Sequence, residues 1–235
     1  AFIGAYFEKG KVLEKLGKYN EAIENYEVTI SIDGPTSHAY LRIGKCHEKL
    51  GNDDLAKYYY YNTVHEDPLL DKGWLAITDF HSKLGDFGKA LFYINKAINI
   101  DGENPLYWKK AAKIYFQLAN LDEADFAFKQ TVDLGNYELD TWMEWSETLN
   151  QIGDFHAAIQ VLVQGIEFYP NESKLFYKLS GLFLKNGQLE KSRTKLLEAL
   201  QLNPENLCLF EDEFPEFQKF PKLKILLSEF KKAST

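Results

Sequence analysis

The sequence predicts an all-α fold: six tandem copies of a 34-residue helix–turn–helix unit, closed by a C-terminal capping helix. Three observations predict it. Shifted by 34 residues, the chain aligns with itself in six columns, with no insertion or deletion from Ile3 to Asn206. Within a copy, apolar residues recur at helical spacing, as Leu118, Leu121, Phe128 and Val132 do. A turn-forming residue punctuates each copy at its middle and again at its end. The copies run 3–36, 37–70, 71–104, 105–138, 139–172 and 173–206, so that residues 1–206 form the array and 207–235 a closing segment.

Each column has a physical reason. Tyr6, Tyr40, Trp74, Trp108, Trp142 and Phe176 form an aromatic column, and Tyr26, Tyr60, Ile94, Phe128, Leu162 and Leu196 a large apolar one. Gly10, Gly44, Thr78, Ala112, Ser146 and Ser180 are all small, as are Ala22, Ala56, Ala90, Ala124, Ala158 and Ser192. These two columns mark where paired helices approach closely, because a larger side chain would hold them apart. Gly17, Gly51, Gly85, Ala119, Gly153 and Gly187 end the first helix, where a left-handed residue is wanted. Asp53, Asp86, Asp122 and Asp154 follow, placed to cap or electrostatically favour the second helix. Gly34, Pro68, Gly102, Asn136, Pro170 and Pro204 close the copies. In copy four, Asn136 is expected to keep the turn by adopting the left-handed conformation itself.

After Asn206 the pattern changes. The aromatic column continues at Phe210, but Pro215 interrupts the helix and Pro221 opens another. From Pro221 to Lys232, Leu223, Leu226, Leu227 and Phe230 share one face, which suits a cap over the sixth copy's apolar surface. At the other end, Phe2, Ile3, Tyr6 and Phe7 open the first copy with no polar cap before them. The expectation there is either further repeats upstream or self-association through the N-terminal repeat.

Composition narrows the class. With 45% hydrophobic and 26% charged residues, the chain is too apolar for disorder and too charged for a membrane protein. The net charge of −8 argues against duplex nucleic acid as the main partner, which calls for a basic footprint. Two cysteines cannot frame a disulfide scaffold. The longest internal stretch without Asp, Glu, Lys or Arg, Phe155 to Ile166, is too short to cross a bilayer, so no membrane insertion is expected. Residues 1–10 show no leader pattern, and the expected location is cytoplasmic.

Taken in order, the aromatic, small residue, Gly, Ala, second large apolar residue and Pro resemble the tetratricopeptide repeat, most closely in copies three and five: Trp74, Gly85 and Ala90, then Trp142, Gly153, Ala158 and Pro170. The resemblance covers nearly nine-tenths of the chain. It implies a right-handed superhelical α-solenoid whose first helices line a concave groove that binds partners as extended peptides. It also implies which residues face that groove, namely those next to the aromatic column and those four further on. Along the array these are Phe7 and Lys11, Leu41 and Lys45, Leu75 and Asp79, Lys109 and Lys113, Met143 and Glu147, and Tyr177 and Gly181, with Arg42, Lys72 and Lys110 adding charge nearby. The middle of the groove thus reads as basic and the far end, with Asp140, Glu144 and Glu147, as acidic. The competing reading is a solvated face with charges paired inside one helix, as Lys45 with Glu48. Chaperone-binding members of the family hold a terminal carboxylate with a Lys and an Asn four residues on. Phe7 and Lys11 take those places in copy one, and no other copy restores the pair, which speaks against such a clamp.

Catalytic motifs fail on context. Asp86-Phe87-Gly88 spells the kinase metal-binding triplet but sits at an inter-helix turn, without a His-Arg-Asp or Gly-rich loop. His47-Glu48 lacks the second His of a zinc protease, since Gly51 stands there, and His47 and His81 share one column, which reads as packing. Ser180-Gly181 lacks the glycine that precedes a nucleophile elbow. Asn171-Glu172-Ser173 is a glycosylation sequon, relevant only to a secreted protein. The expectation is a non-enzymatic interaction scaffold with no cofactor and no metal, binding a protein or extended peptide of acidic character. The alternatives are a self-association module or a regulatory domain of a longer protein.

Overall fold

The computed structural model describes residues 3–233. Phe2, assigned above to the uncapped first copy, lies outside them. The described residues form α-helices and two short 3-10 turns, with no strand among them. No helix among them is long and apolar enough to cross a membrane. The chain divides into two compact units, meeting in sequence at Leu118 and Ala119.

The first unit holds α1 (Ile3–Lys15), α2 (Tyr19–Asp33), α3 (Ser37–Lys49), α4 (Asp53–Glu66), α5 (Asp71–Lys83), α6 (Phe87–Ile100) and α7 (Pro105–Gln117). Odd-numbered helices begin at intervals of 34 residues. α1, α3 and α5 each pack on the helix that follows, and α2, α4 and α6 pack in turn on α3, α5 and α7. Ala22, Ala56 and Ala90 are wholly buried. The small column serves the large one: a methyl group on Gly10 would fall 2.5 Å from the Tyr26 ring, and one on Gly44 2.6 Å from Tyr60. Substituting either glycine would push the paired helices apart.

The second unit holds α8 (Leu121–Asp133), α9 (Leu139–Ile152), α10 (Phe155–Phe168), α11 (Ser173–Lys185), α12 (Leu189–Leu202), α13 (Leu207–Glu213) and α14 (Pro221–Ala233). From α8 to α12 the helices pack on their sequence neighbours in the same way, whereas α13 packs on α11 and α14 on α12. Ala124, Ala158 and Ser192 are wholly buried. In the last pair two hydroxyls replace the apolar contact: Ser180 Oγ donates to the Ser192 carbonyl at 2.8 Å and lies 3.2 Å from Ser192 Oγ. Leu223, Leu226 and Leu227 of α14 are buried in one cluster with Leu196, Ala199 and Leu200 of α12, so α14 covers that apolar surface. Lys222 anchors it to Glu190 at 2.5 Å.

The mid-copy turns are left-handed at Gly17, Gly51, Gly85, Gly153 and Gly187, and Ala119 adopts the same region with φ 58°. The N–H of the next residue then reaches back across the turn, as Asp86 does to the His81 carbonyl at 3.0 Å. Two expectations change in detail. Asp86 and Asp154 do cap, accepting from the N–H groups of Lys89 and Ala157 at 3.3 and 2.9 Å. Asp53 and Asp122 sit inside the first turn, with Asn52 and Asn120 at the cap positions, and favour the helix through its dipole rather than by capping, while Asp53 also accepts from Lys83 at 2.9 Å. At the end of copy four it is Gly135, φ 90°, that turns left-handed. Asn136 is buried instead, its side-chain oxygen accepting from Thr141 Oγ at 2.8 Å and the Glu138 N–H at 3.4 Å.

Candidate interaction faces

In the first unit, the cations expected to face a groove come from α1, α3, α5 and α7. Two of them pair across helices. Arg42 on α3 bonds Glu14 on α1 at 2.9 Å, and Lys110 on α7 bonds Asp79 on α5 at 2.6 Å. Lys11 pairs within α1, with Glu8 at 2.8 Å. The anticipated Lys45–Glu48 pair does not form: Glu48 accepts from the Tyr60 hydroxyl at 2.5 Å. Lys45 is exposed at its surface, but partial desolvation of its ammonium, reinforced by the charges of Arg42 and Lys72 and only partly offset by Glu14 and Asp79, holds its pKa below the usual lysine value. Lys72 and Lys113 are exposed, and Lys109 and Leu75 are half-buried. Leu41 belongs to the core with Ala56, Tyr60 and Ile77, so it presents no apolar pocket at the surface. Phe7 is half-buried against Tyr26, with ring centroids 5.3 Å apart.

The second unit brings two more expected residues, Met143 on α9 and Tyr177 on α11, into one pocket of about 370 Å³. Lys174, Lys178, Phe210, Asp212 and Glu213 complete its wall. Tyr177 is almost wholly buried, and its hydroxyl donates to the Asn203 carbonyl at 3.0 Å. Lys178, also buried, joins Glu147 of α9 at 2.8 Å and Glu213 of α13 at 2.5 Å. Burial alone would raise the Glu147 carboxyl pKa. The Lys178 charge, with hydrogen bonds from Lys178, Gln151 and Asn150, more than offsets this and holds it below the usual carboxylate value. Lys178 escaped notice in the sequence because its partners lie 31 and 35 residues away, on other helices. Phe210, continuing the aromatic column, was the available signal.

The histidines pack as their shared column suggests. His47 stacks on Tyr59, and His81 on Tyr93 while meeting the Tyr61 hydroxyl at 3.1 Å. Asp86 of the kinase-like triplet is a helix cap, and Ser180 is buried in mid-helix. In the sequon Asn171 is exposed, whereas the Ser173 hydroxyl is buried and accepts from Asn206 at 2.8 Å. Cys46 and Cys208 are free thiols. Among the described residues no group of three His, Cys, Asp or Glu side chains is placed to hold a metal.

Comparison with known proteins agrees with this geometry. Family models described as tetratricopeptide repeat match residues 3–34, 38–69 and 72–104. No curated protein matches the chain by sequence. Among solved structures, part of a TPR repeat-containing protein from Cytophaga hutchinsonii is similar with a TM-score of 0.74 at 19% identity, over 86% of this chain and 84% of that one. PilF of Pseudomonas aeruginosa gives 0.70 at 15% identity, over 92% and 96%. YrrB, described as a TPR protein with an unusual peptide-binding site, gives 0.69 at 14% identity, over 80% and 97%. At such identities the likeness is one of fold.

Proposed function

Because the chain is a tetratricopeptide-repeat protein, we propose that it works as a non-enzymatic scaffold for protein–protein interaction, and that α3, α5 and α7 of the first unit receive an extended, carboxylate-bearing segment of a partner. The observation that supports this most is the crowding of cations at Lys45. Partial desolvation first, and then Arg42 and Lys72, lower its pKa, and the carboxylates that partly offset this, Glu14 and Asp79, are engaged by Arg42 and Lys110. A partner carboxylate would relieve that repulsion, and Lys109 and Lys113, one turn apart on α7, would extend the contact along the segment. The test is capture of a partner with the whole chain as bait, followed by the variants Lys45→Glu/Lys72→Glu and Lys109→Glu/Lys113→Glu, with folding checked by circular dichroism. Both should lose the partner, and the unaltered chain should lose it as salt is raised. Unchanged affinity in both variants would sink the reading.

Self-association through α1 is a second reading, favoured by the exposure of Tyr6 and Val12 on that helix and of Leu16 just after it. A mass independent of protein concentration in sedimentation equilibrium would dismiss it.

A further inference from the structure

Three lysines of the first unit converge on one small pocket. Lys15 ends α1, Lys49 ends α3, and Lys45 lies one turn before Lys49. With Glu14, Tyr19 and Cys46 they line a cavity of about 240 Å³. No carboxylate pairs with any of the three among the described residues. The acid in the wall, Glu14, is already committed, accepting from Arg42 at 2.9 Å and from the Cys46 thiol at 3.5 Å. Burial, with the nearby Glu14 charge, pushes the Cys46 thiol up to about 12, so it stays neutral and adds no competing charge at pH 7. The pocket therefore carries three cations against one acid, Glu14, whose charge is shared between Arg42 and Lys45, in a chain whose net charge is −8.

Helix dipoles account for part of this arrangement. Lys15 and Lys49 stand at C-terminal ends, where carbonyls favour cations. They do not account for Lys45, which sits a turn further in and whose pKa is depressed by partial desolvation and by Arg42 and Lys72. Like charges held at one cavity lower their mutual repulsion by binding an anion. A single carboxylate would leave two of the three charges uncompensated, whereas a phosphoryl dianion offers more charge and several acceptor oxygens to ammonium donors. The Tyr19 phenol in the wall adds a neutral donor.

We infer that the pocket of Lys15, Lys45, Lys49 and Tyr19 is a binding site for a phosphoryl dianion, carried either by a small molecule or by a phosphorylated side chain. The site does not depend on the partner face proposed above. Lys15 and Lys49 play no part in that face, and only Lys45 is shared.

The probe is inorganic pyrophosphate, titrated calorimetrically into the whole chain at pH 7 and low salt. One saturable site is expected, weakened about tenfold or more in Lys15→Gln/Lys49→Gln, because two charge-assisted contacts are lost. Lys57→Gln, on α4 and outside the pocket, should bind as the unaltered chain does. Succinate should bind about tenfold more weakly than pyrophosphate. Absence of saturable binding, equal binding by the Lys15/Lys49 variant, or equal binding of succinate would each overturn the inference. A phosphoserine peptide that binds more tightly than pyrophosphate, with the same lysine dependence, supports the site and places the phosphoryl group on a partner protein. The reverse order supports it with a small molecule as the source. Lys109→Glu/Lys113→Glu leaves the lining and the charges acting on Lys45 intact and tests the partner face alone, so the two readings can fail separately.

Discussion

The ring of Phe214 rests directly on Gly181, closer than any side chain at that position would allow. By register, Gly181 is a groove-facing position of the sixth copy, yet it is buried by the chain's own closing segment. Phe214 follows α13 and is held from its other sides by Phe210, with ring centroids 5.7 Å apart, and by the Lys185 ammonium 5.1 Å above the ring. Gly181→Ala should force this ring out of place and destabilise the second unit by about 1–3 kcal/mol, the usual range for overpacking. The check is the urea midpoint. In a Phe214→Ala background, itself less stable, the same glycine substitution should cost less because the clash is gone, and a cost that does not shrink would argue against the contact.

Ala90 should be equally intolerant of size. It is wholly buried within the core of α6, Tyr107 and Ala111. Ala90→Leu adds three carbons to a contact that has no room for them, and the expected cost is again about 1–3 kcal/mol. An unchanged melting temperature would contradict the close approach read from the small-residue column.

Ala119 invites the opposite experiment. A side chain in the left-handed region carries a local cost that glycine avoids, and the five other mid-copy turns use glycine. Ala119→Gly should raise stability by up to about 1 kcal/mol, the relief being reduced by the greater freedom of glycine in the unfolded chain. Thermal unfolding should shift upward by a few degrees, and a downward shift would show that the turn gains more from the restricted residue than it loses in strain.

Lys178 carries the pH dependence. The Glu147 carboxyl is held below its usual value, so its contribution is present at neutral pH and above the unfolded value near 4.3, and is lost as pH falls through the lower folded value. Lys178→Met removes the partner that holds it there. At pH 7 this should cost about 1–3 kcal/mol, less than for fully buried carboxylates because Glu147 and Glu213 keep about a third of their side-chain surface. Urea titrations at pH 7 and pH 4 should show the gap between the two proteins narrowing in acid, and a gap of constant size would mean that packing alone explains the loss.

Periodicity carried most of the fold into the sequence. Constant spacing of Trp74, Trp108 and Trp142 set the helix starts, and the glycine column set the turns, because both features are local and repeat in register. Charge pairing was not legible in the same way. Arg42–Glu14 and Lys178–Glu147 join residues 28 and 31 apart, across copies, whereas the patterns sought lay three or four residues apart on one helix. The turn at the end of copy four is ambiguous in the sequence for a related reason: two adjacent residues, Gly135 and Asn136, could both turn the chain, and the burial of Asn136 against Thr141 leaves the left-handed position to Gly135. Leu41 shows the limit of register as a guide to exposure, since the same column position can face solvent or a neighbour according to the size of the residues around it.

The ammonium of Lys178 touches a helix before its own pair and a helix after it. In a stacked array, coupling normally passes only from neighbour to neighbour, and terminal elements fray independently. Here, detaching α13 would strand half of the counter-charge of a cation buried under α9 and α11. α13 is therefore expected to open together with α9 and α11 rather than ahead of them. Amide exchange in α13 should accordingly be as slow as in α11, and Lys178→Met should uncouple the two, turning one opening event into a stepwise unravelling from the C-terminal end.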